Sequence, residues 1–319
     1  MMELRDRLRG GVQEFSAGYY AVCGVGGMLS SGTAHLVITP LDVLKVNMQV
    51  NPLKYRSIAS GLTTLWKEEG PSSLLRGWSG KLFGYGIQGG VRFGLYEYFK
   101  KLYSDVLVDH NRTSIFFMSS ACAQVFADVA LCPFEAVKVR LQTQANFAKG
   151  LADGFPKFYR SEGFTGFYKG LIPLWGRNLP FAMVMFSTFE HTVDLIYHNM
   201  IQRRKEDCSK LQQLTVSFFA GYIAGSVGVV VSNPADNVVS SLYDKQASSI
   251  LQVLKKIGLV NLFTRSLGVR CMLVGPVITL QWFLYDSIKV LAGLPTSGGL
   301  PRHLEEDTES ASKEPPDNA

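Results

Sequence analysis

Six long stretches of mostly apolar residues, separated by polar segments, form the hydrophobicity pattern of the chain. Each is near or above the length of about 20 residues with which a helix crosses a bilayer. Polar side chains recur within them, as is typical of helices that turn one face to lipid and another to water or to each other. The pattern predicts six transmembrane helices at approximately 19–48, 80–103, 114–143, 174–198, 212–242 and 271–292.

A proline motif recurs towards the end of the first, third and fifth stretches. Its copies read Pro40-Leu41-Asp42-Val43-Leu44-Lys45, Pro133-Phe134-Glu135-Ala136-Val137-Lys138 and Pro234-Ala235-Asp236-Asn237-Val238-Val239. A kinking proline beside an ionisable residue is costly inside apolar sequence, so three copies indicate a repeated architecture. A second motif follows each copy, and it is weaker in the third: Glu69-Gly70 with Leu75-Arg76-Gly77, Glu162-Gly163 with Tyr168-Lys169-Gly170, and Gly258 with Phe263-Thr264-Arg265.

These motifs divide the chain into repeats of an all-α membrane protein. Between the two stretches of each repeat, amphipathic segments near 56–68, 150–161 and 248–256 predict short interfacial helices. Small residues four positions apart, such as Gly27/Ser31 and Gly221/Gly225, predict close packing between helices. The predicted units are an N-terminal segment 1–18, the repeats 19–103, 114–198 and 212–292, and a disordered tail 295–319 rich in Pro, Ser, Asp and Glu.

The composition supports a membrane protein and argues against several other classes. Only 18% of the 319 residues are charged, against roughly 25% in soluble domains. The net charge is +6, and the basic residues flank apolar runs instead of lining one polar face, which favours a membrane protein with cationic loops over a nucleic-acid binder. The five cysteines show no CxxC spacing, so neither a metal site nor a disulfide framework is expected.

No cofactor and no enzymatic activity are expected. Residues 84–89 match GxGxxG, but a dinucleotide fingerprint needs a preceding strand and a βαβ unit, and here the glycines lie within a spanning helix. The chain contains no nucleophile elbow, HExxH motif or P-loop.

The recurring motif pair resembles that of the mitochondrial carrier family over residues 19 to 292. Within that family, the segments 84–94, 131–135, 233–236 and 280–286 are similar to the phosphate carriers, and 295–299 resembles their plant members. The resemblance implies six transmembrane helices in three pseudo-threefold repeats, with short matrix helices, in the inner mitochondrial membrane. It also implies an alternating-access pore for inorganic phosphate, coupled to a proton or hydroxide. Membrane lipid is a further expected partner, with cardiolipin at the matrix helices. The protein is expected to be a monomer.

The resemblance also implies two gates. At the matrix end, Asp42 is expected to pair with Lys138, and Asp236 with Lys45, while Glu135 would face Val239 and lack a partner. Gln49 and Gln142 lie four residues beyond the two lysines and would brace the pairs. At the cytoplasmic end the gate residues are Glu97, Lys100, Glu190, Asp286 and Lys289, with Val193 where the middle repeat lacks a base. The alternative is that these charges simply lie in solvent at helix ends.

The expected substrate contacts lie on the even-numbered stretches. Family analogy places Gly84, Arg177 and Leu273 at symmetry-related contact points, and Gln88 and Arg92 follow Gly84 at four-residue steps. The remaining members of the predicted site are Asn178 and Arg270. A small tetrahedral oxyanion needs converging arginine and amide donors. The alternative for each arginine is a buried structural ion pair, which we expect less because carboxylates are scarce on these stretches.

The candidates for proton coupling are His35 and Asp128, each five residues before its proline. Histidine titrates near neutrality, and chains of acids and histidines commonly relay protons in membranes. Gln124, Asp128 and Glu135 share one helix face. Phosphate carriers have a glutamate at position 124, and an amide cannot carry a proton, so we expect weaker pH dependence here.

Two other functions remain open at this point. One is a carrier for another small anion, such as sulfate or a dicarboxylate. The other is a membrane-embedded binding or regulatory protein that does not transport. The complete Asp42/Lys138 and Lys45/Asp236 pairs favour a working transporter over the second.

Overall fold

Helices form nearly all of the computed structural model. The described residues are 15–41, 43–44, 58–75, 77–107, 111–143, 147–148, 150–243, 258–264 and 267–298. Their helices are α1 (Ala17–Val37), α2 (Ile58–Glu69), α3 (Trp78–Val106), α4 (Arg112–Thr143), α5 (Leu151–Gly166), α6 (Leu171–Leu195), α7 (Lys210–Tyr243), α8 (Leu259–Thr264) and α9 (Leu267–Leu291). No strand occurs in these ranges, which agrees with the predicted all-α class.

The six long helices form a closed ring. The principal contacts run α1–α3, α3–α4, α4–α6, α6–α7 and α7–α9, and α9 returns to α1. Each repeat contributes two neighbouring members of the ring, so α3, α6 and α9 alternate with α1, α4 and α7. The arrangement encloses an interior that all three repeats line.

Three of the long helices are apolar and long enough to cross a membrane by composition alone. These segments are Arg112–Leu141, Lys210–Val238 and Arg270–Leu291. Of the other three, α3 and α6 carry charged side chains on the interior side. In α3, for example, Lys81, Arg92 and Glu97 are all buried within the helix bundle.

The prolines of the repeated motif lie where the first helix of each repeat reaches one end of the ring. Pro133 and Pro234 lie inside α4 and α7, and Pro40 follows α1. We call this end the proline end. We call the opposite end, where α1 begins and α9 ends, the terminal end.

Close backbone contacts hold α1 against α3, as the spacing of small residues predicts. A Cβ added to Gly27 would lie 2.5 Å from the Gly89 carbonyl oxygen and 2.7 Å from Phe93 Cβ. In the third repeat, a Cβ on Gly225 would lie 2.9 Å from Ile278 Cβ. A larger side chain at Gly27 would therefore push α1 away from α3, and one at Gly225 would push α7 away from α9.

The short helices agree with the prediction in two repeats. α2 and α5 coincide closely with the predicted segments 56–68 and 150–161. The third predicted segment, 248–256, lies outside the described residues, and the short helix α8 comes after it. The N-terminal residues 1–14 also lie outside the described part of the chain.

The prediction of disorder from Pro295 is wrong for the first residues of the tail. Leu294, Thr296 and Ser297 are almost fully buried at the terminal end. The polar linker 199–211 also has local structure, with a π-helical turn at Ile196–Ile201 and a 3₁₀ turn at Lys205–Asp207. Residues 294–298 lie against the terminal end because buried polar groups there bind their backbone, as described below.

Replacing Gly27 by valine should destabilise the fold, because the new side chain meets the Gly89 carbonyl and Phe93. Overpacking of this kind costs about 1–3 kcal/mol. The matched control is Gly268→Ala, since a Cβ at Gly268 meets nothing within 4 Å and alanine favours helix. The measurement is the thermal unfolding midpoint of both variants in detergent. An unchanged midpoint for Gly27→Val would show that α1 and α3 are less closely packed.

Candidate functional site

A buried carboxylate, Asp128, lies about halfway along α4 and gathers amide groups from three helices. Its Oδ1 accepts hydrogen bonds from Gln124 Nε2 at 2.7 Å, Gln88 Nε2 at 2.9 Å and Asn178 Nδ2 at 2.8 Å. Within the described residues its Oδ2 has no hydrogen-bond partner. The contact with Gln124 confirms that positions 124 and 128 share one helix face.

Arg177 joins this group from α6. Its Nε donates to Asn178 Oδ1 at 3.1 Å and lies 4.0 Å from Asp236 Oδ1, while 36% of its side chain stays exposed. We call the five residues together the polar belt: Gln88, Gln124, Asp128, Arg177 and Asn178. The belt connects α3 and α4 with α6, and Asp236 extends it to α7. It therefore brings charge and hydrogen-bonding groups from all three repeats into the interior.

Arg92 lies one turn beyond Gln88 on α3 and is buried. Its guanidinium carbon lies 5.3 Å and 5.8 Å from the ring centres of Phe93 and Phe186. Its Nε has no hydrogen-bond partner within the described residues. Arg92 is thus a buried cation with unused donor capacity, close enough to Asp128 for their charges to interact.

Arg270 is already engaged by a carboxylate. It forms an ion pair with Asp236 and donates to Asn233 Oδ1 at 2.9 Å. The expectation that arginines on these helices lack carboxylate partners is therefore wrong for Arg270. The carboxylate comes from α7, the first helix of the same repeat, so counting acids on the even-numbered stretches did not find it.

A tyrosine that the sequence analysis did not single out connects the belt to the proline end. The Tyr85 ring stacks on His35 with centroids 3.9 Å apart, and Lys138 Nζ lies 3.5 Å from its hydroxyl. Tyr85 is three residues before Gln88, so helical periodicity places both on the same face of α3. This spacing could have identified it, because it places Tyr85 on the face that carries a predicted substrate contact.

The described part of the proline end includes two contacts that the expected pairing did not, the Arg270–Asp236 ion pair described above and a second one at Glu135. Glu135, expected to lack a partner, pairs with Lys138 on its own helix at 3.1 Å. The two residues are three positions apart, which brings them together on a helix. Asp42, Lys45, Gln49 and the side chain of Gln142 lie outside the described part of the structure, so the two matrix-gate pairs stay predictions.

Two ion pairs cross the interior at the terminal end. Lys100 of α3 pairs with Glu190 of α6 at 2.6 Å, and Lys289 of α9 lies 3.6 Å from Glu97 of α3. Tyr96 also donates to Glu190 at 2.9 Å. All four charged side chains are at most 8% exposed, so the alternative that they lie in solvent is wrong. They connect the first repeat to each of the other two.

Asp286, the third acid at this end, has no base at the corresponding position, where α6 carries Val193. Its Oδ1 accepts the backbone N–H of Ser297 at 2.8 Å, and its Oδ2 accepts a hydrogen bond from Ser217 Oγ. The ammonium of Lys205, in the linker before α7, donates to the carbonyls of residues 296, 297 and 298. Burial lowers the pKa of Lys205 to about 8, and the charge of Asp286 opposes this shift.

An apolar layer separates the polar belt from these ion pairs. Phe189 stacks on Trp282 with centroids 3.5 Å apart, and Phe93 packs against Phe186, Trp282 and Tyr285. The layer includes Cys23, which is fully buried. Together with the ion pairs, it closes the interior at the terminal end.

Comparison with known proteins places this geometry in context. The family model for "Mitochondrial carrier protein" matches residues 17–107 and 110–200, which are the first two repeats. "Mitochondrial phosphate carrier protein 1, mitochondrial" of Arabidopsis thaliana is 69% identical, over 90% of this chain and 93% of its own length. A second Arabidopsis thaliana phosphate carrier is 51% identical, over 90% of this chain and 80% of its own. "Phosphate carrier protein, mitochondrial" of Caenorhabditis elegans is 46% identical, over 89% and 85%.

Replacing Lys100 by methionine should strongly destabilise the protein, because it leaves Glu190 charged and buried. Breaking a buried ion pair in this way costs about 3–5 kcal/mol. The control is Lys101→Met in the exposed neighbouring pair with Asp105, where about 0–1 kcal/mol is expected. Thermal unfolding in detergent measures both. Equal effects of the two substitutions would show that Glu190 is not held by Lys100.

Proposed function

Because the chain belongs to the mitochondrial carrier family, we propose that it carries inorganic phosphate across the inner mitochondrial membrane into the matrix, by symport with a proton or exchange for hydroxide. It is a multi-pass helical protein of that membrane and not an enzyme. The relatives named as phosphate carriers support the substrate. The closed ring in one chain supports a monomer as the transporting unit.

The polar belt is the observation that carries this proposal. Phosphate is a small anion whose oxygens accept hydrogen bonds in all directions, and arginine with amide donors matches it. Arg177 is partly exposed within the interior, and Arg92 has an unused Nε. An anion between them would gain charge-assisted hydrogen bonds from α3 and α6. Arg270 contributes less directly, since Asp236 already neutralises it.

Asp128 supports a role for a proton. A carboxylate beside a bound phosphate repels it at short range, and in a low-dielectric interior that repulsion is strong. A proton on the unpartnered Oδ2 removes the repulsion and creates a donor for a phosphate oxygen. Proton and phosphate then favour each other's binding, which is the requirement for symport. His35, stacked on Tyr85, lies on the path from the belt to the proline end.

The energetic reason for the proton is the membrane potential. Moving an anion into a negative compartment costs about 2.3 kcal/mol per charge per 100 mV. One proton carried with monovalent phosphate cancels that cost. The same result follows from hydroxide leaving as phosphate enters, so the proposal covers both descriptions.

Alternating access follows from the two ends of the ring. In the structure the terminal end is closed by the apolar layer and by the Lys100–Glu190 and Lys289–Glu97 pairs. We assign this end to the cytoplasmic side, as the family resemblance implies. Opening it requires these contacts to part, while the predicted pairs of Asp42 and Lys45 close the proline end.

The direct test is uptake of labelled phosphate into liposomes containing the purified protein, with an imposed pH difference. We expect saturable uptake that an alkaline interior accelerates. Sulfate and dicarboxylates in excess serve as competitors. Uptake of one of these competitors in preference to phosphate would show that the competitor, and not phosphate, is the substrate. Absence of any anion flux from correctly folded protein would instead favour a binding or regulatory role.

Replacing Arg177 by alanine should abolish phosphate uptake, because it removes the exposed guanidinium of the polar belt. Arg177→Lys should retain part of the activity, since it keeps the charge but loses the planar fork of donors. Initial uptake rates and thermal stability are measured together. Uptake by Arg177→Ala at near the wild-type rate would exclude Arg177 from the binding site.

Replacing Asp128 by asparagine should remove the dependence of uptake on the pH difference while phosphate–phosphate exchange persists. The amide keeps the shape of the side chain but cannot gain or lose the proton. Asp105→Asn, in an exposed pair at the end of α3, is the control and should respond to pH like the wild type. Initial rates at several imposed pH differences provide the measurement. An unchanged response of Asp128→Asn would place the proton elsewhere.

A further inference from the structure

The first residues of the C-terminal tail occupy the place of a missing ion pair. At the terminal end, each repeat has an acid, and in the first and third repeats a base follows it three positions later. These bases are Lys100 and Lys289, whereas the middle repeat has Val193 at that position. The observed pairs join Glu190 to Lys100 and Glu97 to Lys289. By the same rotation around the ring, Asp286 would pair with position 193. Two sides of this triangle of helices are closed by ion pairs, and the third side, between α6 and α9, is not.

The segment 294–298, which we call the strap, lies across that third side. Its Ser297 N–H donates to Asp286 of α9 at 2.8 Å. Its Gly298 lies on Val193 of α6, so closely that an added Cβ would be 2.5 Å from Val193 Cγ1. Gly298 has a φ of +98°, a conformation that glycine adopts without strain. The strap therefore contacts both residues of the missing pair at once.

Lys205 holds the strap in place from the other side. Its ammonium donates to the carbonyl oxygens of Thr296 at 2.5 Å, Ser297 at 3.0 Å and Gly298 at 3.1 Å. Thr296 is 3.4 Å from the Gln213 side chain at the start of α7, and Leu294 packs into the apolar layer. The strap thus ties α6 to α7 and α9, across the boundary between the second and third repeats.

We propose that the strap is the third element of the cytoplasmic gate, replacing the absent ion pair at position 193, and that it must release from α6 or α9 each time this end opens. This inference rests on the proposed transport function for the meaning of opening. The contact of the strap with α6 and α9 does not depend on the transport function. Because the strap stabilises only the closed terminal end, loosening it should shift the population towards the open form.

The test measures opening directly through Cys23, which is fully buried in the apolar layer at the terminal end. A polar, membrane-impermeant maleimide is added to the full chain in lipid nanodiscs, and mass spectrometry of the Cys23 peptide follows its modification. Cys132, 3% exposed and next to Pro133 at the opposite end, is the internal reference. Unfolding would raise modification of both cysteines, whereas opening of the terminal end raises it only at Cys23.

Ser297→Pro removes the N–H that donates to Asp286, since proline has none. Loss of a hydrogen bond to a charged group should raise the rate of Cys23 modification about tenfold, which corresponds to about 1.4 kcal/mol. Ser297→Ala loses only the hydroxyl that accepts a long hydrogen bond from Lys289 Nζ at 3.4 Å. It keeps the N–H, so its rate should rise much less than that of Ser297→Pro, which loses both groups. Lys205→Met, which releases the strap carbonyls, should also raise the rate, and Lys210→Met at the exposed start of α7 is its control.

A rescue variant distinguishes specific opening of the terminal end from general destabilisation of the protein. In the double variant Val193→Lys/Ser297→Pro, the new ammonium faces Asp286 and supplies the absent ion pair, so Cys23 modification should return towards the wild-type rate. Wild-type rates in both Ser297→Pro and Lys205→Met, or no recovery in the double variant, would overturn the proposal. The readout requires no transport, so a response at Cys23 without phosphate uptake would reject the proposed substrate and keep the strap.

Discussion

A polar group that the ring turns inward gains no partner from the lipid outside, so its hydrogen bonds come from other groups inside the ring. Asp128 shows how this constraint organises the site, since its Oδ1 is fully engaged while its Oδ2 has no hydrogen-bond partner within the described residues. One carboxylate oxygen takes amide donors from α3, α4 and α6, so the same contacts that satisfy the charge also hold two repeats together. A ligand that competes for Asn178 or Arg177 necessarily disturbs this connection. Binding and rearrangement of the helices are therefore linked by the cost of leaving a buried polar group unpaired.

The three repeats share a backbone plan but not an interior. The position five residues before the motif proline is His35 in the first repeat, Asp128 in the second and Val229 in the third. The substrate-contact position that family analogy predicts on the second helix of each repeat is Gly84, Arg177 and Leu273 in turn. At these two positions the polar side chains belong to the first two repeats, and the third carries Val229 and Leu273. The third repeat contributes its polar groups elsewhere, in the Arg270–Asp236 ion pair. A substrate as small as phosphate needs only part of the ring, and the asymmetry indicates which part binds it under the proposed function.

The sequence predicted the helices well because the period of apolar residues and the motif prolines are local signals. It also placed Gln124 and Asp128 on one face, which the hydrogen bond confirms. Periodicity says which face a residue occupies but not which neighbour it meets across the interior. Glu135 therefore pairs with Lys138 on its own helix, and Arg270 with Asp236, against expectation. The strap was missed for a different reason: Pro, Thr, Ser and Gly form a linker-like composition, and its anchors lie on other segments.

The two ends of a carrier must be balanced, since a gate that never opens stops transport as surely as one that never closes. Each end has three equivalent positions, and each lacks one base: Val193 at the terminal end and Val239 at the proline end. If ion pairs alone closed the two ends, they would be equally matched, with two observed pairs at the terminal end and two predicted pairs at the proline end. The strap adds backbone hydrogen bonds and buried contact to one end only. An advantage of about 1.4 kcal/mol shifts a two-state population tenfold, so the proposed role of the strap requires only a contribution of this size to bias which side is closed. In the structure that side is the terminal one, where the strap lies.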